Sequence, residues 1–154
     1  MRAVVQRVAA ARVLVAETEV ARIGGGLLVL VGVAKGDTRS EASRLASKTL
    51  SLRIFDDADG RMNLAVAQSG GAVLCVSQFT LHADVRRGSR PSYEGAAPAE
   101  QAEPLYSAFC SAIEDSGVKC ERGVFGADMQ LELTNDGPVT IVLDTEDLAR
   151  PRRS

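Results

Sequence analysis

The chain opens on a stretch rich in valine and alanine. Between residues 2 and 15, Val and Ala recur with Arg2, Gln6, Arg7 and Arg12 set among them, which predicts one or two strands. Glu17 to Ile23 is the candidate hairpin partner. Gly26 to Ala34 is a continuous apolar run of strand length, suited to a buried strand. The period then changes. Thr38 with Glu41 three residues later is a capping-box pattern, and Ala42, Leu45, Ala46 and Thr49 fall on one face of the helix that it opens. Arg53 to Phe55 leads into an acidic turn, Asp56-Asp57-Ala58-Asp59-Gly60. Ala72 to Val76 is a further strand that runs directly into Ser77-Gln78-Phe79-Thr80-Leu81. Residues 82–97 carry glycine, proline and arginine and read as a long functional loop. A second helix is predicted over about 98–115, with Leu105, Ala108, Phe109, Ala112 and Ile113 as its apolar stripe. Pro104 removes a hydrogen bond from that helix, so it kinks there or its regular part begins near residue 103. Val118 to Glu121, Ala127 to Thr134, and Val139 to Asp144 read as strands.

This order of elements predicts an α+β fold: two main helices against a mixed, largely antiparallel sheet or a partly closed barrel. With 154 residues and no repeat, linker or low-complexity segment, the chain reads as one domain over residues 1–154. Residues from about 146 to 154 form a basic tail. Hydrophobic residues make up 45% of the chain, enough to bury a core, yet no apolar run approaches the roughly 18 residues of a membrane span. Met1 to Arg7 lacks the apolar segment of a signal peptide, which places the protein in the cytoplasm with no membrane partner.

Charge narrows the partners. The formal net charge is −2, so contact with RNA would need a local patch. Arg86, Arg87 and Arg90 form one candidate; Arg150, Arg152 and Arg153 form another. Three cysteines, Cys75, Cys110 and Cys120, are neither a disulfide framework nor a zinc motif by spacing, and Cys75 and Cys110 read as core. Gly24-Gly25-Gly26 precedes a strand and lacks the lysine of a phosphate loop, so it reads as a turn. The Asp56 to Gly60 cluster lacks calcium-loop spacing and reads as a hairpin turn. His82 is the only histidine; if its segment is a strand, it faces the same way as Thr80, but no orienting acid is identifiable.

Three segments hold more promise. Ser77, Gln78, Phe79 and Thr80 offer hydroxyls, an amide and backbone N–H groups where a strand opens into a loop, a setting for polarising a carbonyl or for local capping bonds. Arg87-Gly88-Ser89-Arg90-Pro91-Ser92-Tyr93 is a basic loop with an aromatic, suited to phosphate or sugar contacts. Gly123 to Met129 is followed by Asn135-Asp136-Gly137-Pro138-Val139-Thr140, which by composition reads as a tight turn between two strands.

Together, with Gln6-Arg7-Val8 and Met62-Asn63-Leu64, these segments resemble the D-aminoacyl-tRNA deacylase family over almost the full chain. Tyr93, where phenylalanine is common, and the arginine-rich end depart from the family pattern outside its main motifs. The resemblance implies hydrolysis of the ester of D-aminoacyl-tRNA by a homodimer, without cofactor or metal, at the tRNA acceptor end. It implies a cis Gly137-Pro138 bond entering the partner's pocket, held there by Arg7, and a backbone that rejects L-residues. It places Phe125 and Met129 in the pocket wall and Ser77 to Thr80 at the reacting ester. Glycyl-tRNA mischarged on tRNA(Ala), which has no side chain to clash, is a further expected substrate. Thr80 is left with two roles: nucleophile, or a side chain that shapes a site where the 2′-hydroxyl of the terminal adenosine supports the chemistry.

Overall fold

The computed structural model describes residues 1–151. One strand, β1 (Arg2–Val15), organises it. It pairs antiparallel with β2 (Thr18–Ile23) at one end, with β3 (Gly26–Gly32) at the other, and with β8 (Gln130–Asp144) along nearly its whole length. Beyond β3, β6 (Ala72–Ser77) and β7 (Cys120–Arg122) add in parallel, so the six-stranded sheet is mixed and curls towards a barrel. A small hairpin, β4 (Phe55–Asp56) and β5 (Met62–Leu64), surrounds the acidic turn. The expected α+β class and its partly closed sheet are observed.

Two cores lie on the two faces of this sheet, which is why β3 is apolar throughout. Leu27, Val29 and Val31 pack under α1 (Arg39–Ser51) and α3 (Ala99–Asp115). Leu28 faces the other way and joins Val8, Val13, Ile23 and Leu74 inside the curl. Glycine is needed at the tightest point. Gly26 has φ +154°, and a Cβ there would lie 1.9 Å from the Ala72 carbonyl oxygen, so any side chain would part β3 from β6.

The helices follow their sequence signals. Thr38 and Glu41 close the capping box of α1, and Ala42, Leu45, Ala46 and Thr49 are its buried face. In α3 regular structure begins at Ala99, ahead of Pro104, which sits exposed inside the helix. Two short helices are added, α2 (Val66–Ser69) and α4 (Thr145–Ala149). The latter takes in the start of the expected basic tail: Asp144 caps α4 by accepting from the Glu146 N–H. Arg150 pairs with Asp147, while Arg152 and Arg153 lie outside the described residues.

The end of the chain differs most from expectation. Ala127–Thr134 and Val139–Asp144 are not two strands around a turn but parts of one long β8. Between the pairs Gln6↔Thr140 and Val8↔Asn135, β1 advances two residues and β8 five. The three extra residues form a bulge opposite Arg7. Proline suits it, having no N–H to leave unpaired.

Candidate active site

A cavity of about 410 Å³ opens beside the end of β6, and Ser77, Gln78, Phe79, Phe125 and Met129 line it. Five of the nine expected site residues therefore meet at one place. Ser77 is the last residue of β6, and the Gln78 N–H continues the ladder to the Val31 carbonyl at 2.8 Å. The chain then turns into a short 3₁₀ helix, Phe79–His82. Its first closing bond runs from the Leu81 N–H to the Gln78 carbonyl. The N–H groups of Phe79 and Thr80 precede that bond and have no acceptor within the helix. Among the described residues neither N–H meets an acceptor, and Phe79 lines the cavity; donors so placed can stabilise a carbonyl oxygen as it gains charge. Val33, Ala97 and Ala102 also line the cavity; only their small apolar character marked them in the sequence.

Thr80 is half-buried, and its Oγ1 accepts a hydrogen bond from Gln78 Nε2 at 2.6 Å. No base among the described residues takes its proton. The histidine expected on the same face does not fill that role. Two residues along a 3₁₀ helix is two-thirds of a turn, so Thr80 and His82 point apart, and His82 Nε2 is buried without a partner. Phe79 is 54% exposed and stands edge-on to Tyr93, with ring centroids 5.0 Å apart. Phe125 packs against Tyr106 at 5.9 Å.

Gly137 and Pro138 are exposed, joined by a cis peptide bond, and do not line this cavity. Pro138 is seven residues along β8 from Leu131, which does line it. At about 3.3 Å per residue this separation is on the order of 20 Å. The bulge is nevertheless well supported. Arg7, whose side chain is only 11% exposed, donates from Nη1 to the Ile54 carbonyl at 2.7 Å and from Nε to the Asp136 carbonyl at 3.1 Å. Asp56 and Asp136 stand 3.7 Å from its guanidinium. The contacts seen for Arg7 are thus with its own chain's bulge, where the resemblance had it holding a partner's. Asn135 closes the other side: its Oδ1 accepts the Val139 N–H at 3.0 Å, and its Nδ2 donates to Thr140 Oγ1 at 2.9 Å. The asparagine was visible in the motif, but this use of it was not.

The basic loop is closed by a bridge between Asp84 and Ser92. Asp84 forks Arg86 and is held down to about 2 by it. Arg87 and Arg90 are exposed on the same loop. A group that spacing had kept apart also comes together: the sulfurs of Cys75, Cys110 and Cys120 lie within 4.8 Å of one another behind the cavity wall.

Comparison with known proteins shows the family. The D-Tyr-tRNA(Tyr) deacylase family profile matches residues 4–144. A D-aminoacyl-tRNA deacylase of Anaeromyxobacter dehalogenans is 57% identical over 96% of this chain and 99% of its own length. One of Thermotoga petrophila is 53% identical over the same shares. Among solved structures, the c-Myc DNA Unwinding Element Binding Protein superposes with TM-score 0.88 at 40% identity, covering 94% of this chain and 98% of that one. A probable eukaryotic D-amino acid tRNA deacylase shares the fold, with TM-score 0.80 at 18% identity. The chain belongs to the D-Tyr-tRNA(Tyr) deacylase family, a family of hydrolases.

Proposed function

We propose that the cavity beside Ser77 to Thr80 holds the ester of a D-aminoacyl-tRNA, and that a second copy of the chain completes the site with Gly137 and Pro138. Deacylation itself follows from family membership; the proposal concerns how this chain performs it. Water adds to the ester carbonyl carbon, and the carbonyl oxygen takes up the charge facing the Phe79 and Thr80 N–H groups. The bond to the terminal ribose oxygen then breaks. That oxygen leaves with a proton from the attacking water, passed through the neighbouring 2′-hydroxyl. The products are the free amino acid and tRNA. Thr80 shapes the site, because its hydroxyl accepts from Gln78 and no base among the described residues activates it. The ester is already reactive, so positioning and oxyanion stabilisation suffice.

The observation that carries the reading is the division of the parts. The cavity has donors for a carbonyl, but the expected chirality-reading residues stand outside it on an exposed, braced bulge. In a dimer, Gly137 and Pro138 of one chain would enter the cavity of the other, with Arg7 and Asn135 fixing the bulge from behind. With the substrate's ammonium and ester both held, the L side chain would meet the Gly-Pro backbone. Chirality is read by exclusion, so side-chain identity matters little. Glycine has nothing to exclude, and glycyl-tRNA(Ala) is accepted as well. Exposed Arg87 and Arg90 supply charge for the acceptor-end phosphates. A tRNA substrate places the reaction in the cytoplasm.

The test is hydrolysis of matched D-, L- and glycyl-tRNAs by the purified protein. Release of D-tyrosine, D-aspartate and glycine is expected, with the L-esters largely intact. Equal rates on the two enantiomers would remove the exclusion mechanism.

A further inference from the structure

Cys75 lies on β6, Cys110 on α3 and Cys120 on β7. Their sulfurs converge within 4.8 Å, with Cys75 Sγ and Cys120 Sγ 3.6 Å apart. We propose that these three cysteines form a binding site for one thiophilic cation, a site separate from the deacylation cavity. The separations fit. A cation bonded to sulfur at about 2.3 Å and lying in the plane of three sulfurs needs them about 4 Å apart. The donor set is sulfur alone, which selects soft ions such as Zn(II), Cu(I) or Cd(II) over magnesium or calcium.

The strand register argues against a disulfide as the cluster's purpose. Cys75 stands opposite Arg122, and Cys120 opposite Val73. The two cysteines are therefore diagonal neighbours on parallel strands. Their Cα atoms are about 8 Å apart by strand geometry, beyond the roughly 7 Å that a disulfide spans without backbone movement. Small apolar residues would fill the same space, but three thiols bring something they lack, a set of donors that becomes anionic when a metal binds. A counter-charge is at hand. Arg122 is anchored to α3 by Glu114, Ser107 and Ser111, and its charge acts on Cys110. Cys75 and Cys110 are fully buried, while Cys120 is half-buried and gives the way in.

Occupation would tie together the elements behind the cavity. The Cys75 carbonyl accepts from Tyr106 Oη and from the Gly123 N–H, both at 2.9 Å. Tyr106 backs Phe125 in the cavity wall, and Ser77 is two residues beyond Cys75. A bound cation would clamp β6, β7 and α3 at this point.

The experiment uses the full chain, reduced and kept free of oxygen, titrated with Cd(II) in competition with a weak chelator. The expected result is a thiolate-to-cadmium charge-transfer band that saturates at one equivalent, proton release on binding, and a raised Tm. Cys120→Ser, at the least buried position, should fold normally and weaken cadmium binding by more than about tenfold. Cys110→Ser should do the same if it folds; if it does not, Cys120→Ser decides. No band at one equivalent, or a band unchanged in a folded Cys120→Ser protein, would overturn the site. So would a reduced protein that ignores cadmium while a mild oxidant readily joins Cys75 to Cys120. None of these readouts depends on the deacylase reaction.

Discussion

Arg7 and Thr80 are the two residues whose roles their contacts most constrain. Arg7 spans two backbone carbonyls, on Ile54 and Asp136, and no other side chain could replace that fork. A charge-assisted hydrogen bond is worth about 1.5–3 kcal/mol. Arg7→Ala should therefore loosen the bulge and narrow the D-over-L rate ratio by on the order of tenfold, while removing no group near the ester. Paired D and L assays on the folded variant check this, and an unchanged ratio would free Arg7 of the role. Thr80→Ala should keep measurable hydrolysis, because the free backbone donors remain. Replacing the terminal adenosine by its 2′-deoxy form should cost more. A folded Thr80→Ala protein that binds substrate but is inert would make Thr80 the nucleophile. At this scale Ser77 to Phe79, singled out at the strand end, and Phe125 and Met129, named from the family resemblance, line one cavity. The sequence did not reach the three cysteines, whose meeting depends on the pairing of β6 with β7 and the docking of α3.

Among the elements, β1 carries a mark in its burial pattern. Its buried positions run Ala3, Val5, then Val8, then Ala11, Val13, so the two-residue period breaks on either side of Val8. Those breaks are the register shifts against β8. The letters do not show this phase change, since Val4, Ala9 and Ala10 are apolar as well, and the partner that causes it lies some 130 residues away. For the same reason β8 read as two strands and a turn: Asn-Asp-Gly-Pro has turn composition, and only its long partner shows that the strand resumes. The capping box and apolar face of α1 were legible because a helix is closed locally. Where β1, β2 and β8 run side by side, an exposed charge network joins them. Glu19 bonds Arg22 and Arg12, and Arg12 reaches Glu132. Hydrogen bonding to Arg22, outweighing desolvation and aided by Arg12, lowers Glu19 from the ordinary 4.5 to about 2. A carboxylate depressed in the fold favours the folded state fully above its ordinary value. Its contribution is lost as pH falls from about 4.5 to about 2, and salt weakens it, since the pair is exposed. A carboxyl NMR titration should find Glu19 near 2, moving back towards 4.5 in Arg22→Ala. A Glu19 that titrates normally with Arg22 present would contradict the network.

At the scale of the whole molecule, β8 is the unfinished part. Among the described residues it pairs only with β1, leaving a long free edge with Val142 72% exposed and Leu133 36% exposed. Long, apolar edges are normally covered, and a second chain would cover this one while delivering Gly137 and Pro138 to a neighbouring cavity. The most direct measurement is complementation between two defective chains. One carries changes in the Ser77 to Thr80 segment that abolish hydrolysis. The other has an intact cavity but a Gly137 and Pro138 pair altered so that it no longer supports selective hydrolysis of D-aminoacyl-tRNA. Each alone should be defective. Mixed and allowed to exchange, they should regain D-selective activity, because each mixed dimer joins one intact cavity to one intact bulge. No recovery despite confirmed mixed dimers, or full activity from a monomer, would contradict the shared site.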